Sequence, residues 1–491
     1  MTASDFAYAT AIELSAATER REVSSLELTK AAIARIERHD GDINALCAPD
    51  FEHALQSADA ADAARARGEG GPLLGIPMTV KESFNIAGLP TTWGLPPFRD
   101  FKPSEDAVAV TRLKAAGAVI LGKTNVPLAL GDLQSYNDIY GTTNNPWDLA
   151  RTPGGSSGGS AAALAAGFGA LSIGSDIAGS LRVPAHFCGV YAHKPSLGLV
   201  PGRGHTPPPA RPLPYDRDLV VVGPMARSAG DLSLMLDILA GPDEIAGGKA
   251  YRLALPPARH DDLAAYRVLV LDTHPLIGTA QSMRTAIDRL AVQLVGAGAK
   301  VVWQSPLLPD PIEAARLYMR LLMSSMSSAY PAAVHERMAD AADKLDPADL
   351  SLAAERTRGN VLSHRDWLFA DAMRARHQQG WRDLFAEFDI VICPAAPTPA
   401  FPHDHSADQW SRQIVIDGKA YNYGDQLVWA GIATLPGLPA TVAPLGLSEE
   451  GLPIGVQLLG PMHEDRTPIR FAQLLEREFG GFTARPALNA G

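Results

Sequence analysis

Apolar positions along the chain change their period several times, and each change predicts an element. In "SSLELTKAAIARIERH", Leu26, Leu28, Ala32, Ile33 and Ile36 recur near helical spacing, so residues 10–39 read as helices with Ser24 or Ser25 as a cap. "FEHALQSADAADAARARG" (51–68) predicts a further helix ending at Gly68. From residue 73 the pattern becomes a short apolar run, "LLGIPMTVK", bounded by turn residues as a buried strand is. "DAVAVTRLKAAG" then predicts a helix and "AVILG" a strand, the alternation of an α/β sheet. The strand "YRVLVLD" (266–272), a helix over about 280–297 and the strand "KVVW" (300–303) repeat it.

Residues 311–388 read as mostly helical and "IVICP" (390–394) as a strand. "PATVAPLG" and "LPIGVQLLGP" predict paired strands around a turn at "SEEG", and "TPIRFAQLLEREFG" predicts a closing helix. The proline-rich "PGRGHTPPPARPLPYDR" (201–217) predicts an irregular surface loop. Strands early and late, with helices between them, predict one sheet drawn from both halves of the chain. No internal repeat is visible.

Composition narrows the class. The 491 residues are ample for a sizeable core, and 46% hydrophobic with 20% charged residues is ordinary for a globular protein. A net charge of −11 with no basic stripe argues against nucleic acid as the main partner. The three cysteines, Cys47, Cys188 and Cys393, are scattered, without a CxxC pair, so neither a disulfide framework nor zinc is expected. No secretory h-region and no membrane-length apolar run is visible. The expectation is a cytoplasmic protein with no membrane partner.

Two motifs imitate known sites. "GAVILGKT" (117–124) fits GxxxxGK[ST], but a phosphate loop needs its strand before the first glycine, and here Ala118 to Leu121 are themselves the strand. "GGSSG" (154–158) fits the nucleophile elbow with Ser156 at its centre, but the preceding "NNPWDLARTP" is turn-rich and not a strand. An esterase built on Ser156 stays open as an alternative, needing a downstream Asp and His.

Three segments remain and belong together. Lys81 ends "GIPMTVK", "PGGSSGGS" opens the helix "SAAALAAG", and "GSDIAGSLRVPA" (174–185) is a second glycine- and serine-containing turn. A serine acts as a nucleophile only where a base activates it and donors hold the oxyanion that forms. A lysine whose pKa burial lowers can serve as the base for a serine. Ser157 and Ser160 read as structural, capping the helix and bonding the loop. Asp176 and Arg182 read as braces for the turn, His186 and His193 as structural hydrogen-bonding groups, and Cys188 as buried filler.

In "GPLLGIPMTVKESFNIAGLPTT", "YGTTNNPWDLARTPGGSSGGSAAALAAG", "GSDIAGSLRVPAHFCGVYAHKPS" and the closing "GLPIGVQLLGP", the chain resembles the amidase signature family of serine amide hydrolases. The likeness spans almost the whole chain and is weakest over about 241–380. It implies an α/β fold, a large twisted mixed β-sheet covered by α-helices on both faces. It also implies a single domain, 1–491: N-terminal helices (1–70), a signature core (71–240), a variable helical segment (241–380) and C-terminal core strands and helix (381–491).

The resemblance further implies a Ser–cis-Ser–Lys triad. Ser180 is its nucleophile, Ser156 its bridging serine on a cis peptide, and Lys81 its base. The backbone N–H groups of Ile177, Ala178, Gly179 and Ser180 form the implied oxyanion hole. Many members have glycine where this chain has Ala178; were φ positive there, strain of about 1 kcal/mol would follow. No cofactor and no metal are implied.

The expected activity is cleavage of a carboxamide or anilide to an acid plus ammonia or an amine through acyl-Ser180, on a small-molecule amide. A homodimer is compatible with the chain. A glutaminase subunit of a tRNA-dependent amidotransferase and a catalytically inactive binding module on the same fold are the other readings. In "LYMRLLMSSMSSAY" (317–330), Met319, Met323, Met326 and Tyr330 share one helix face, which reads either as core or as the wall of an acyl pocket. With few charges near that face, a neutral apolar or aromatic acyl group is expected.

Overall fold

In the computed structural model, which describes residues 6–246, 248–328 and 330–485, helices α1 (Ala11–Glu19) and α2 (Ser25–Ile43) each open on a capping box, Thr10 with Glu13 and Ser24 with Glu27. Each box satisfies two backbone donors that a helix start leaves unpaired. Strand β1 (Leu46–Pro49) and helix α3 (Phe51–Ala66) follow, then β2 (Pro77–Lys81), α4 (Val108–Ala115) and β3 (Val119–Thr124). A small ribbon, β4 (Tyr136–Asn137) with β5 (Gly141–Thr142), precedes α5 (Gly158–Ala165), β6 (Leu171–Asp176), α6 (Arg182–Cys188), β7 (Tyr191–Lys194), β8 (Val221–Ala226) and α7 (Ala229–Leu239).

The second half supplies β9 (Arg267–Val270), α8 (Gln281–Gly296), β10 (Lys300–Val302) and four successive helices: α9 (Pro311–Ser327), α10 (Ala332–Ala342), α11 (Leu352–Gly359) and α12 (His364–Glu387). It closes with β11 (Ile390–Pro394), the hairpin β12 (Gln413–Ile416) and β13 (Lys419–Asn422), α13 (Leu427–Thr434), β14 (Ala440–Leu447), β15 (Pro453–Leu459) and α14 (Arg466–Phe479).

Among the described residues, eleven strands form one mixed sheet in the order β1–β3–β2–β6–β8–β7–β14–β15–β11–β9–β10. The halves of the chain meet where β7 pairs antiparallel with β14, Lys194 opposite Ala440. Both faces are buried. Along β11, Ile390 and Ile392 enter one apolar cluster while Val391 and Cys393 enter another, and β9 divides Val268 and Val270 from Leu269 in the same way. A strand alternates its side chains, so two clusters on alternate residues mean a packed layer on each face.

Within "GAVILGKT" the strand is Val119–Thr124, one residue later than the predicted start at Ala118 and running past the predicted end at Leu121. Gly122 and Lys123 lie inside β3, and Lys123 is buried, donating to the Pro90 carbonyl and to Thr91 Oγ1. The 201–217 loop is irregular but not wholly on the surface. Gly204 accepts from Asn85 N–H (2.9 Å), and His205 is buried between the rings of Phe84 and Trp93. The loop's first residues therefore cover the segment after β2, and its exposed stretch, 209–216 apart from Pro212, follows.

Candidate active site

Lys81 ends β2, every residue of which is buried. Its Nζ lies 2.7 Å from Ser156 Oγ and 2.9 Å from Ser175 Oγ. Removal from water disfavours the ammonium and pushes Lys81 down to about 7, with Asp176 and Glu82 acting in the opposite direction. A substantial share of this lysine is thus neutral near pH 7 and able to take a proton.

Ser156 is presented by the glycine loop ahead of α5, and the Gly155–Ser156 peptide is cis. Gly155 has no room for a side chain, since a Cβ there would stand 2.4 Å from the Asp132 carbonyl oxygen. All eight residues of α5 are buried, so "SAAALAAG" packs the loop from behind. The predicted Ser157 cap is not made. Ser157 stands at the N-cap position, but its Oγ donates to the Ser175 carbonyl (3.4 Å) and its N–H to the Ser180 carbonyl (3.1 Å). These bonds tie the loop to the second turn. Ser160 Oγ pairs with Thr124 Oγ1 at 2.7 Å.

Ser180 follows β6 on a turn braced as expected. Asp176 accepts from Gly179 N–H (2.9 Å) and Leu181 N–H (3.0 Å) and pairs with the Arg182 guanidinium (2.8 Å). Burial alone would push the Asp176 carboxyl up; the adjacent Arg182 overrides it and holds the group at about 2. Arg182 also donates to the Ala430 carbonyl, Gln457 Oε1 and Thr434 Oγ1.

This bracing changes the expected oxyanion hole. Gly179 N–H belongs to Asp176, whereas among the described residues no hydrogen bond engages the N–H of Ile177, Ala178 or Ser180. The left-handed residue of the turn is Gly179, at φ +92°, and not Ala178, so the alanine carries none of the feared strain. Tyr318 Oη donates to the Ile177 carbonyl (2.9 Å). A trans peptide points its C=O and N–H in opposite directions, so this grip turns the Ala178 N–H away from α9.

Ser180 is 5% exposed, and its hydroxyl makes no hydrogen bond among the described residues. It borders an apolar cavity with Leu322, Met323 and Met326 of α9. The methionine face divides. Met323 and Met326 line this cavity, whereas Met319 is packed into the core and Tyr330 lies outside. Only the last turns of α9 reach the cavity, and the helix as a whole also packs on α11, α12 and α13.

The two tempting histidines are structural. His186 bonds the Thr398 carbonyl and Gly455 N–H, and burial pushes it down to about 4. His193 lies between Thr441 Oγ1 (2.9 Å) and Asp465 Oδ1 (3.1 Å), the outline of a catalytic triad, but all three are fully buried. Cys188 is buried with its Sγ 3.5 Å from the Pro153 carbonyl. The sequence does not single out Ser175 or Tyr318; adjacency to Asp176 in "GSDIAGS" is the one signal that could have found Ser175. Among the described residues no helix is long and apolar enough to cross a membrane, and no cluster of His, Cys, Asp or Glu could hold a metal ion.

The family model described as Amidase matches residues 27–468. Fatty-acid amide hydrolase 2-A of Danio rerio is 33% identical over 504 residues, spanning 96% of this chain and 89% of that protein. A glutamyl-tRNA(Gln) amidotransferase subunit of Thermus thermophilus is 35% identical over 498 residues, spanning 97% and 98%. A solved, inhibitor-bound chain, from a vestigial protein complex bearing on the origins of an s-triazine catabolic enzyme, superposes with a TM-score of 0.80. Its identity is 31%, over 95% of this chain and 98% of that one.

Proposed function

The chain belongs to the amidase family, the amidase signature enzymes that act on amide C–N bonds, and from that premise we propose that it cleaves a carboxamide or anilide through an acyl-enzyme on Ser180. Neutral Lys81 takes the proton of Ser156 as Ser156 takes that of Ser180. Ser180 Oγ bonds to the carbonyl carbon, and the resulting oxyanion meets the N–H groups of Ile177, Ala178 and Ser180. The proton returns from Lys81 through Ser156 to the leaving nitrogen as the C–N bond breaks. Water, deprotonated along the same relay, then attacks the ester carbon and frees the acid and Ser180.

The observation that carries this reading is the buried Lys81–Ser156 contact of 2.7 Å. At that distance the ammonium donates and the neutral amine accepts, so the pair passes a proton in either direction. An elbow-type esterase on Ser156 has no support, since Ser156 faces a lysine where that chemistry needs a histidine.

The acyl group is neutral and apolar or aromatic. Leu322, Met323 and Met326 line the cavity, and its carboxylate, Asp132, is already bound by Arg412 (2.6 Å) and Tyr423 Oη (2.7 Å). Glutamine would bring an ammonium and a carboxylate to these methionines, which disfavours the glutaminase reading. A reducing, cytoplasmic setting fits the free Cys47, Cys188 and Cys393.

A sulfonyl fluoride should label Ser180 in the purified protein, as read by peptide mass mapping. Ser180→Ala should abolish labelling and lower kcat by about 10⁴-fold or more while the protein stays folded. Labelling on Ser156 would overturn the assignment. In a panel of aliphatic amides, aryl amides, anilides and glutamine, a best kcat/KM on glutamine would overturn the apolar pocket.

A further inference from the structure

We propose that residues 403–424 form a latched flap whose Trp410 ring sets the shape of the acyl slot and selects a flat aromatic group. The proposal rests on the acyl-enzyme reading for what fills the cavity.

The flap is held from one side. The Gln134 side chain brackets the Asp404 backbone, donating to its carbonyl (2.7 Å) and accepting from its N–H (3.0 Å). Asp132 accepts from Arg412 and Tyr423, and the Tyr136 ring stacks on His405 at 3.8 Å between centroids. The anchors 132 and 134 belong to the loop before β4 and 136 opens β4 itself; that loop also borders the cavity through Leu130 and Asp132. That loop is itself constrained: Ala129 (φ +51°) and Leu130 (φ +59°) are consecutive non-glycine residues in the left-handed region. Residues 405–408, between the anchors, are exposed.

The latch leaves Trp410 facing inward. Gln409, Trp410, Tyr423 and Gly424 all border the cavity that contains Ser180. The Arg356 guanidinium of α11 stands 4.4 Å from the centre of the Trp410 ring. The six-membered edge of the ring abuts Gly424, where a Cβ would stand 2.8 Å from Cζ3. The indole is thus fixed by a cation and by a position that tolerates no side chain. With Asp132 occupied by its own partners, the flap offers a substrate an aromatic surface, and α9 offers Met323 and Met326. Aromatic and thioether groups favour a flat ring over an extended alkyl chain.

The test is calorimetric binding of benzamide, 2-naphthamide and hexanamide to Ser180→Ala protein and to versions that add Trp410→Ala, Trp410→Phe or Gly424→Ala. Trp410→Ala should weaken benzamide about tenfold and hexanamide far less. Trp410→Phe should keep the aromatic preference. Gly424→Ala, which displaces the indole, should lower 2-naphthamide binding more than benzamide binding. Equal losses for all three amides, or none, would overturn the slot. Sulfonyl fluoride labelling of the otherwise unaltered enzyme reads the acyl-enzyme separately. Labelled Ser180 with unmoved amide preferences removes the flap alone; unlabelled Ser180 with the expected preferences removes the acyl-enzyme and keeps the slot.

Discussion

Lys81 at the end of β2 and Lys194 at the end of β7 are both buried, and loss of water pushes both down to about 7. Their partners differ. Lys81 reaches two hydroxyls, Ser156 and Ser175, whereas Lys194 reaches two carbonyls, Pro195 and Leu438 (3.2 and 2.8 Å). A hydroxyl can give its proton to a neutral amine; a carbonyl has no proton to give and can only accept hydrogen bonds. The end of β2 is therefore built for the proposed relay, and the end of β7 as a clasp. Lys123 sits between the two cases, with one carbonyl and one hydroxyl, and turns towards the 90–93 loop and not towards the cavity. A depressed lysine pKa marks a base only where its neighbour can pass the proton on to a substrate.

Of the two lysines, the larger effect should come from removing Lys81. Lys81→Ala should lower kcat by about 10²–10⁴-fold, and Lys81→Arg should not rescue it because arginine stays charged. Lys194→Met, measured in the same assay, should leave kcat/KM near the parent value. Equal losses at both positions would break the distinction.

The pH profile sharpens it. Only neutral Lys81 accepts a proton, so kcat/KM should rise with pH through about 7 and level off above it, and fall on the acid side. Lys194→Met should leave that inflection in place. An inflection that moves with Lys194 would make it the titrating base.

Ser175→Ala should cost about tenfold in kcat, since a hydrogen bond to a charged group contributes about 1.5–3 kcal/mol. Its oxygen accepts from the Lys81 ammonium and favours the charged form, so its loss should move the inflection to lower pH. A shift the other way would show that Ser175 acts on the neutral amine. The smallest effect on turnover belongs to Lys194→Met, whose consequence is stability. Two buried carbonyls lose their donor, and urea unfolding should report a loss of about 2 kcal/mol.

The segments that the structure gathers around Lys81, Ser156 and Ser175 were legible because glycine, serine and apolar runs coincide in them. The elements were legible for a similar reason: β2, β3, β14, β15 and α14 each have a clear local period. What escaped depends on contacts between distant positions. Nothing near Tyr318 announces that its hydroxyl grips Ile177, and Arg412 stands 280 positions from Asp132. The Gly179 N–H looked available because the motif shows the turn but not Asp176 folding back on it. Met319, Met323 and Met326 share a period, yet a period cannot say where along α9 the cavity begins.

The Arg182 brace has a consequence for biosynthesis. Lys81, Ser156 and Ser180 leave the ribosome in the first half of the chain. Arg182 must then wait for Ala430, Thr434 and Gln457, made 248, 252 and 275 positions later. The strand beside β7 is equally late. A nascent chain with all three side chains already translated still lacks the clamp on the turn that carries Ser180. On the proposed relay, the site is therefore complete only once the chain has been made through Gln457, and a product terminated before it holds the three side chains without the scaffold that aligns them.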